Sequence, residues 1–287
     1  MSKFLLSAFA DEAGESLQEQ IAALKRNNIT HMEIRAVDGV NVCLTPLDKI
    51  KEYKKQLDEA GIKIVTIGSP VGKVHLDEDY TEHLAMFLHT LAVAKILGAT
   101  RIRMFSIFLP QDEDAAKYKE LVMNRMAEMV KIAEGTGITL YHENEKDIYG
   151  DVPERVLELM DAFGGKMQFI FDPANYVQCD RDPLDVYPLL KDKIAYFHIK
   201  DARMDNKRVV PAGTGSGRIP QILKDYAQTH ENTMLTLEPH LKAFAGLKDE
   251  VSIQYDEEAA YKDNNEAFDA GVAALKKILD EEGLSYE

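Results

Sequence analysis

The 287-residue chain reads as an α/β protein whose eight parallel strands close into a (β/α)8 barrel, one domain spanning residues 1–287. Three observations predict it. Strand-like and helix-like segments alternate eight times at fairly even spacing, and eight is the barrel number. The strand segments are continuous apolar runs, as expected for strands covered on both faces, rather than half-buried alternating ones. No Gly-x-Gly-x-x-Gly follows the first strand, which argues against a doubly wound open sheet.

Residues 4–9 form the first strand, and Ser16-Leu17-Gln18-Glu19 then has capping-box spacing ahead of Leu17, Ile21 and Leu24 on one helical face. Residues 31–35 read as strand two, with Thr45 as N-cap and Pro46 as first helical residue of a helix that runs to Ala60 and stops at Gly61. Strand three is 62–68. A helix over 80–97 ends at Gly98, strand four is 101–106, and a charged helix over 112–134 carries Met123, Met126 and Met129 as packing residues. Residues 138–145, Ile-Thr-Leu-Tyr-His-Glu-Asn-Glu, make strand five, an apolar run that ends in carboxylates.

Asp151-Val152-Pro153-Glu154 opens a helix to residue 163, and strand six is 167–171. A short helix over 182–190 leads to strand seven, 194–199. The loop Gly213-Thr214-Gly215-Ser216-Gly217 precedes a helix over 219–228, and strand eight is 233–237. The last helix, 266–279, spaces Phe268, Val272, Leu275 and Leu279 along one face. The irregular stretch 241–265 follows strand eight, where barrels place lids and oligomer contacts, so self-association is one expectation.

Composition narrows the function. Lysine and arginine number 34 against 49 acidic residues, a net charge of -15 that repels a phosphate backbone, so nucleic acid is not an expected partner. Nor is a membrane: no uninterrupted apolar run of spanning length exists, and the start lacks a signal-peptide pattern. Two cysteines, Cys43 and Cys179, form no disulfide framework and read as reduced packing residues of a cytoplasmic protein.

Barrel chemistry sits at the carboxyl ends of the strands. Strand five ends in Glu143, strand six in Asp172, strand seven in His198 and strand eight in Glu238. Any one of these could be a helix cap or a core histidine. Together they are an oxygen-rich set with one imidazole, suited to one divalent ion, Mn²⁺, Co²⁺, Mg²⁺ or Zn²⁺. By period two, Glu33 shares a face with Arg35, and His198 with Lys200, so these side chains reach toward substrate hydroxyls or a phosphate, or else form internal Glu33–Arg35 and Lys200–Asp201 pairs. His240 has the parity of Glu238, and Glu145 that of Glu143. His142 has the opposite parity and packs outward; of the remaining histidines only His75 is a candidate site contact. The Gly213 to Gly217 loop, ahead of a helix, is a candidate phosphate cradle with Arg218 beside it.

The set Tyr141-His142-Glu143-Asn144, Phe171-Asp172-Pro173, Phe197-His198-Ile199-Lys200-Asp201 and Leu237-Glu238-Pro239-His240 resembles the xylose isomerase-like TIM barrel family of sugar and sugar-phosphate isomerases and epimerases, which includes tagatose 3-epimerase-like enzymes, hydroxypyruvate isomerase, inosose dehydratase and, more distantly, endonuclease IV. Met32-Glu33-Ile34-Arg35 and the glycine loop extend the resemblance over nearly the whole chain. It implies that Glu143, Asp172, His198 and Glu238 hold one divalent metal and that Glu143 and Glu238 are also the proton-transfer pair around an enediolate. Two positions depart from the pattern: Asn175 stands where tagatose 3-epimerase-like enzymes have a histidine, and Arg203 is the nearest candidate for the arginine after the strand-seven histidine.

The expected activity is therefore metal-dependent isomerisation or epimerisation of a small sugar or sugar phosphate. A dehydratase of the inosose type, using the same enediolate to expel a hydroxyl, is the alternative. An endonuclease IV-like nuclease needs more strand-end histidines and a basic surface. A sugar-binding protein without catalysis would have no need of both Glu143 and Glu238.

Overall fold

The computed structural model describes residues 3–110, 114–245 and 261–287. Eight strands, β1 (Lys3–Ala8), β2 (His31–Ile34), β3 (Lys63–Ile67), β4 (Arg101–Met104), β5 (Thr139–Glu143), β6 (Met167–Phe171), β7 (Ile194–Ile199) and β8 (Met234–Leu237), pair in sequence order. All pairings are parallel, and β8 returns to β1 through Leu5–Met234 to Ala8–Leu237, which closes the barrel. A short C-terminal strand β9 (Ser285–Tyr286), which the sequence pattern did not disclose, pairs with the start of β1.

The helices follow their end signals. α1 (Leu17–Arg26) starts in the Ser16–Glu19 capping box, and α2 (Leu47–Ala60) ends at left-handed Gly61. Pro46 is the N-cap of α2, one place before the expected first turn, because a 3-10 turn over Val42–Leu44 takes up the preceding residues. α3 (Tyr80–Leu97) stops at Gly98. α4 (Lys119–Ala133) follows a 3-10 turn over Ala115–Tyr118, and the start of the helix expected from 112 lies outside the described residues. α5 (Pro153–Ala162) begins with proline. α6 (Pro173–Gln178) was hidden from periodicity by its length, and α7 (Pro183–Leu190), α8 (Ile219–Tyr226) and α9 (Asn264–Glu281) match their patterns. Of the 241–265 stretch, 246–260 lies outside the described residues.

Two apolar layers position the site. The larger lies between the strands' outer faces and the helices, with Met32, Ile102, Leu140, Phe169, Phe197 and Leu235 fully buried against residues such as Met126, Met129 and Leu279. The smaller fills the barrel's interior around Ile170, Tyr196 and Met234, with Val65 and Tyr141 packed on it. Above this plug the interior turns polar. Both cysteines are free thiols that burial pushes up to about 12, and no described helix is long and apolar enough to cross a membrane.

The β3–α3 loop is tied down by His83, whose Nε2 accepts from the Gly72 N–H at 2.8 Å, while Gly72 itself has a φ of +89° and packs on the Phe105 backbone. Burial holds the His83 imidazole down to about 4. The unfolded chain therefore binds one more proton than the folded one between about pH 6.5 and pH 4, so this histidine's contribution is present above that window and is lost as pH falls through it. His83→Gln keeps an acceptor for Gly72 and is expected to flatten the fall in stability between pH 7 and pH 5, measured by denaturant unfolding. An unchanged pH slope would contradict the assignment.

Candidate metal and proton-transfer site

Glu143 is the last residue of β5, Asp172 directly follows β6, His198 lies one place before the end of β7 and Glu238 directly follows β8. In the parallel ladder His198 stands beside Thr236, two residues before Glu238, and Glu143 beside Ile170, two residues before Asp172. One ligand atom from each of the four lies within 4.8 Å of all the others, and all four residues are buried. Asp172 serves two purposes with two oxygens: Oδ1 caps α6 by accepting from Asn175 N at 3.1 Å, and Oδ2 faces the cluster. Asn144 clamps the Asp172 backbone from both sides, its Nδ2 donating to the carbonyl at 3.0 Å and its Oδ1 accepting from the N–H at 2.9 Å.

Cations meet these acids. His198 Nδ1 is 2.9 Å from Glu143 Oε1 and 3.6 Å from Glu238 Oε2, and Lys200 Nζ is 3.1 Å from Asp172 Oδ2 and 3.5 Å from Glu238 Oε2. Arg103 spans both glutamates, at 3.2 Å from Glu143 Oε2 and 3.8 Å from Glu238 Oε1. Burial works to raise the Glu143 carboxyl, but His198 and Arg103 outweigh it and hold the group below its ordinary value. Glu238 is held well below its own, Lys200 and His240 overcoming the same burial. Asp172 goes the other way: burial, with Glu143 and Glu238 adding to it against Lys200, pushes it up to about 7.

A second buried group joins at Glu238. His240 Nε2 is 3.3 Å from Glu238 Oε1 and 3.4 Å from Glu12 Oε1, and the His240 backbone donates to Glu12 Oε2 at 2.7 Å. The Arg35 guanidinium sits in this group, donating to Glu238 Oε1 at 2.8 Å and to Asp11 at 2.9 and 3.1 Å, between the Phe9 and Phe244 rings. A permanent cation thus already balances the Glu12–Glu238–His240 cluster.

Of the residues expected to touch substrate, Arg35, Asn175, Lys200 and His240 come into this ensemble. Lys200 pairs with Asp172 and Glu238 rather than Asp201, and Arg35 pairs with Asp11, Glu12 and Glu238 rather than Glu33. Asn175 donates to the Asn144 carbonyl at 2.7 Å and approaches Glu143 Oε1 at 3.4 Å. Glu33 is wholly buried against His198, with its Oε2 3.2 Å from Nε2. Arg203 is exposed in the hairpin that follows β7 and is not drawn into the cluster.

The glycine loop is not a phosphate cradle. The N–H groups of Gly213, Gly215 and Gly217 donate to the buried Asp201 carboxylate at 2.9, 3.0 and 2.7 Å, and a Cβ at Gly215 or Gly217 would strike that carboxylate. Arg218 pairs with Asp182. His75 is exposed and stacks on Phe108, Glu145 pairs with Lys73 outside the four-residue cluster, and His142 packs outward on Ser106 Oγ at 2.9 Å. The residues that strand-end reading missed are Arg103, Asp11, Glu12 and Asn144. Arg103 had a signal, since Arg101 and Arg103 alternate on β4 and an inward arginine beside an acidic cluster is expected to pair.

The four side chains fit a divalent ion. Asp172 Oδ2 and Glu238 Oε2 are buried and make no hydrogen bond, although Lys200 balances their charge. Three carboxylates and one imidazole form the hard-to-borderline donor set that such ions take.

Comparison with known proteins gives the family and the fold. A curated protein from Escherichia coli (strain K12), the uncharacterised YihM, is 24% identical over 230 residues, 78% of this chain and 65% of the relative, so the match spans less than two thirds of that protein. Among solved structures, the IolI protein with a bound zinc atom superposes with a TM-score of 0.74 at 13% identity, covering 98% of this chain and 99% of that one. The 3-keto-D-glucoside 4-epimerase YcjR from E. coli superposes with a TM-score of 0.69 at 15% identity, covering 97% and 100%. The family model for the xylose isomerase-like TIM barrel matches residues 21–278, and the chain belongs to that family.

Proposed function

We propose that the protein is a divalent-metal-dependent isomerase or epimerase of a small sugar, acting through an enediolate. The observation that carries this is the meeting of Glu143, Asp172, His198 and Glu238 within 4.8 Å, at the end of the barrel where chemistry is done. The zinc in the IolI structure and the epimerase activity in YcjR's name support it by fold likeness. An ion bound there would supply a Lewis acid that lowers the cost of negative charge on a substrate's carbonyl oxygen.

The protein's own groups do the rest. Glu143 and Glu238 stand on strands three apart and both are held ionised at neutral pH, so either can remove a proton from the carbon next to the carbonyl, and the other, once it has taken a proton from solvent, returns one. Return to the same carbon gives epimerisation, and return to its neighbour gives isomerisation. Arg103, in reach of both glutamates, keeps their charges balanced. Because Asp201 takes the glycine-loop amides, the proposal favours an unphosphorylated sugar.

Incubation with Mn²⁺ in heavy water and a panel of ketoses, aldoses, inososes and their phosphates is expected to place deuterium next to a carbonyl without loss of water. A dehydrated product would make the protein a lyase instead, and no exchange across the panel would contradict the reading. On a sugar that turns over, Glu143→Gln and Glu238→Gln are each expected to cut kcat by about a hundredfold or more. Full turnover in both would refute the proton-transfer pair. Protein purified without chelator is expected to carry about one equivalent of divalent ion, and added Mn²⁺ or Co²⁺ at a hundred times Kd is expected to stabilise the fold by about 2.7 kcal/mol. Asp172→Asn should weaken both effects, and a wild-type protein that neither carries nor responds to an ion would rule out the site.

A further inference from the structure

His198 has two ring nitrogens, and only one can face the acids at the barrel mouth. In the structure Nδ1 does, at 2.9 Å from Glu143 and 3.6 Å from Glu238. Nε2 lies on the other side of the ring, where among the described residues its hydrogen-bonding neighbour is Glu33 Oε2 at 3.2 Å. The ring edges are packed by Phe9 and Tyr196, whose centroids lie 5.2 and 5.6 Å away. Glu33 has no exposure, and its carboxylate also accepts from the Tyr196 hydroxyl at 3.2 Å, so it is anchored from below.

The β2–β3 ladder runs His31–Lys63, Met32–Ile64 and then Glu33–Thr66, so the register shifts by one residue beside Glu33, with Val65 of β3 as the extra residue. A carboxylate buried just above the apolar plug is costly unless it is paired, and besides Tyr196 it meets the far nitrogen of the one imidazole in the ligand set.

Resting on the metal reading above, we infer that Glu33 is a positioning residue: by accepting the His198 Nε2 hydrogen it fixes the tautomer and ring angle that leave the Nδ1 lone pair free for the ion. It touches neither ion nor substrate. Carboxylates placed in this way raise the basicity of a histidine ligand, and losing them costs about ten- to a hundredfold in metal affinity.

The test is Zn²⁺ affinity by chelator competition in the full chain, for wild type, Glu33→Gln and Glu33→Met, together with ¹H–¹⁵N spectra of the histidine side chains in the Zn²⁺-loaded proteins. Glu33→Gln keeps shape and an acceptor and is expected to weaken binding about tenfold; Glu33→Met, which keeps the length but no strong acceptor, up to about a hundredfold. The slowly exchanging His198 Nε2–H of the wild type should shift in Gln and vanish in Met. Wild-type affinity and an unshifted Nε2–H in both variants would overturn this inference alone, as would a raised KM with unchanged Zn²⁺ affinity. A wild type that binds no Zn²⁺ would overturn it together with the metal reading.

Discussion

Glu143, Asp172 and Glu238 are drawn out of water at one end of the barrel, and the architecture depends on how their charge is met. Each is at most 3% exposed, and an unpaired buried carboxylate costs several kcal/mol or takes up a proton. The chain answers with fixed cations: Lys200 for Asp172 and Glu238, Arg103 across the two glutamates, Arg35 for Glu238 and the Asp11–Glu12 pair, and His198 at the centre. The apolar plug around Ile170, Tyr196 and Met234 then closes the barrel below them and keeps the ensemble dry.

The balance is uneven in an informative way. Arg35 fully engages the Glu12–Glu238–His240 group, whereas at the four strand ends Asp172 Oδ2 and Glu238 Oε2 make no hydrogen bond and share the single charge of Lys200 at 3.1 and 3.5 Å, and Asp172 is left pushed up to about 7 by its burial. A divalent ion answers that deficit better than one ammonium does, since it bonds several oxygens at once.

Much of this was legible in the sequence, for physical reasons. Parallel strands bury both faces, so each run stood out, and charges ending such runs have few explanations; that Glu143, Asp172, His198 and Glu238 come together could therefore be read from strand ends alone. Gly61 and Gly98 marked helix ends by taking the left-handed backbone conformation, and Ser16 by capping the first turn with its side chain. Pairing across the barrel was not legible. Period two placed Glu33 on the correct face of β2 but could not give its depth, and depth separates a substrate contact from a residue beneath His198. The glycine loop was misread because the partner of its amides, Asp201, lies twelve residues before its first glycine and only the fold brings them together. Asp11 and Glu12 sit in a 3-10 turn without any periodic signal.

The claim at the centre is that the four strand ends form one divalent-metal site, and crystals soaked in Mn²⁺ and measured at an energy that gives anomalous scattering from manganese test it most directly. One peak is predicted, bonded at about 2.0–2.3 Å to Glu143, Asp172, Glu238 and His198 Nδ1, with the Lys200 ammonium displaced from between Asp172 and Glu238. No peak, or one beside Glu12 and His240 with Lys200 still in place, would contradict it.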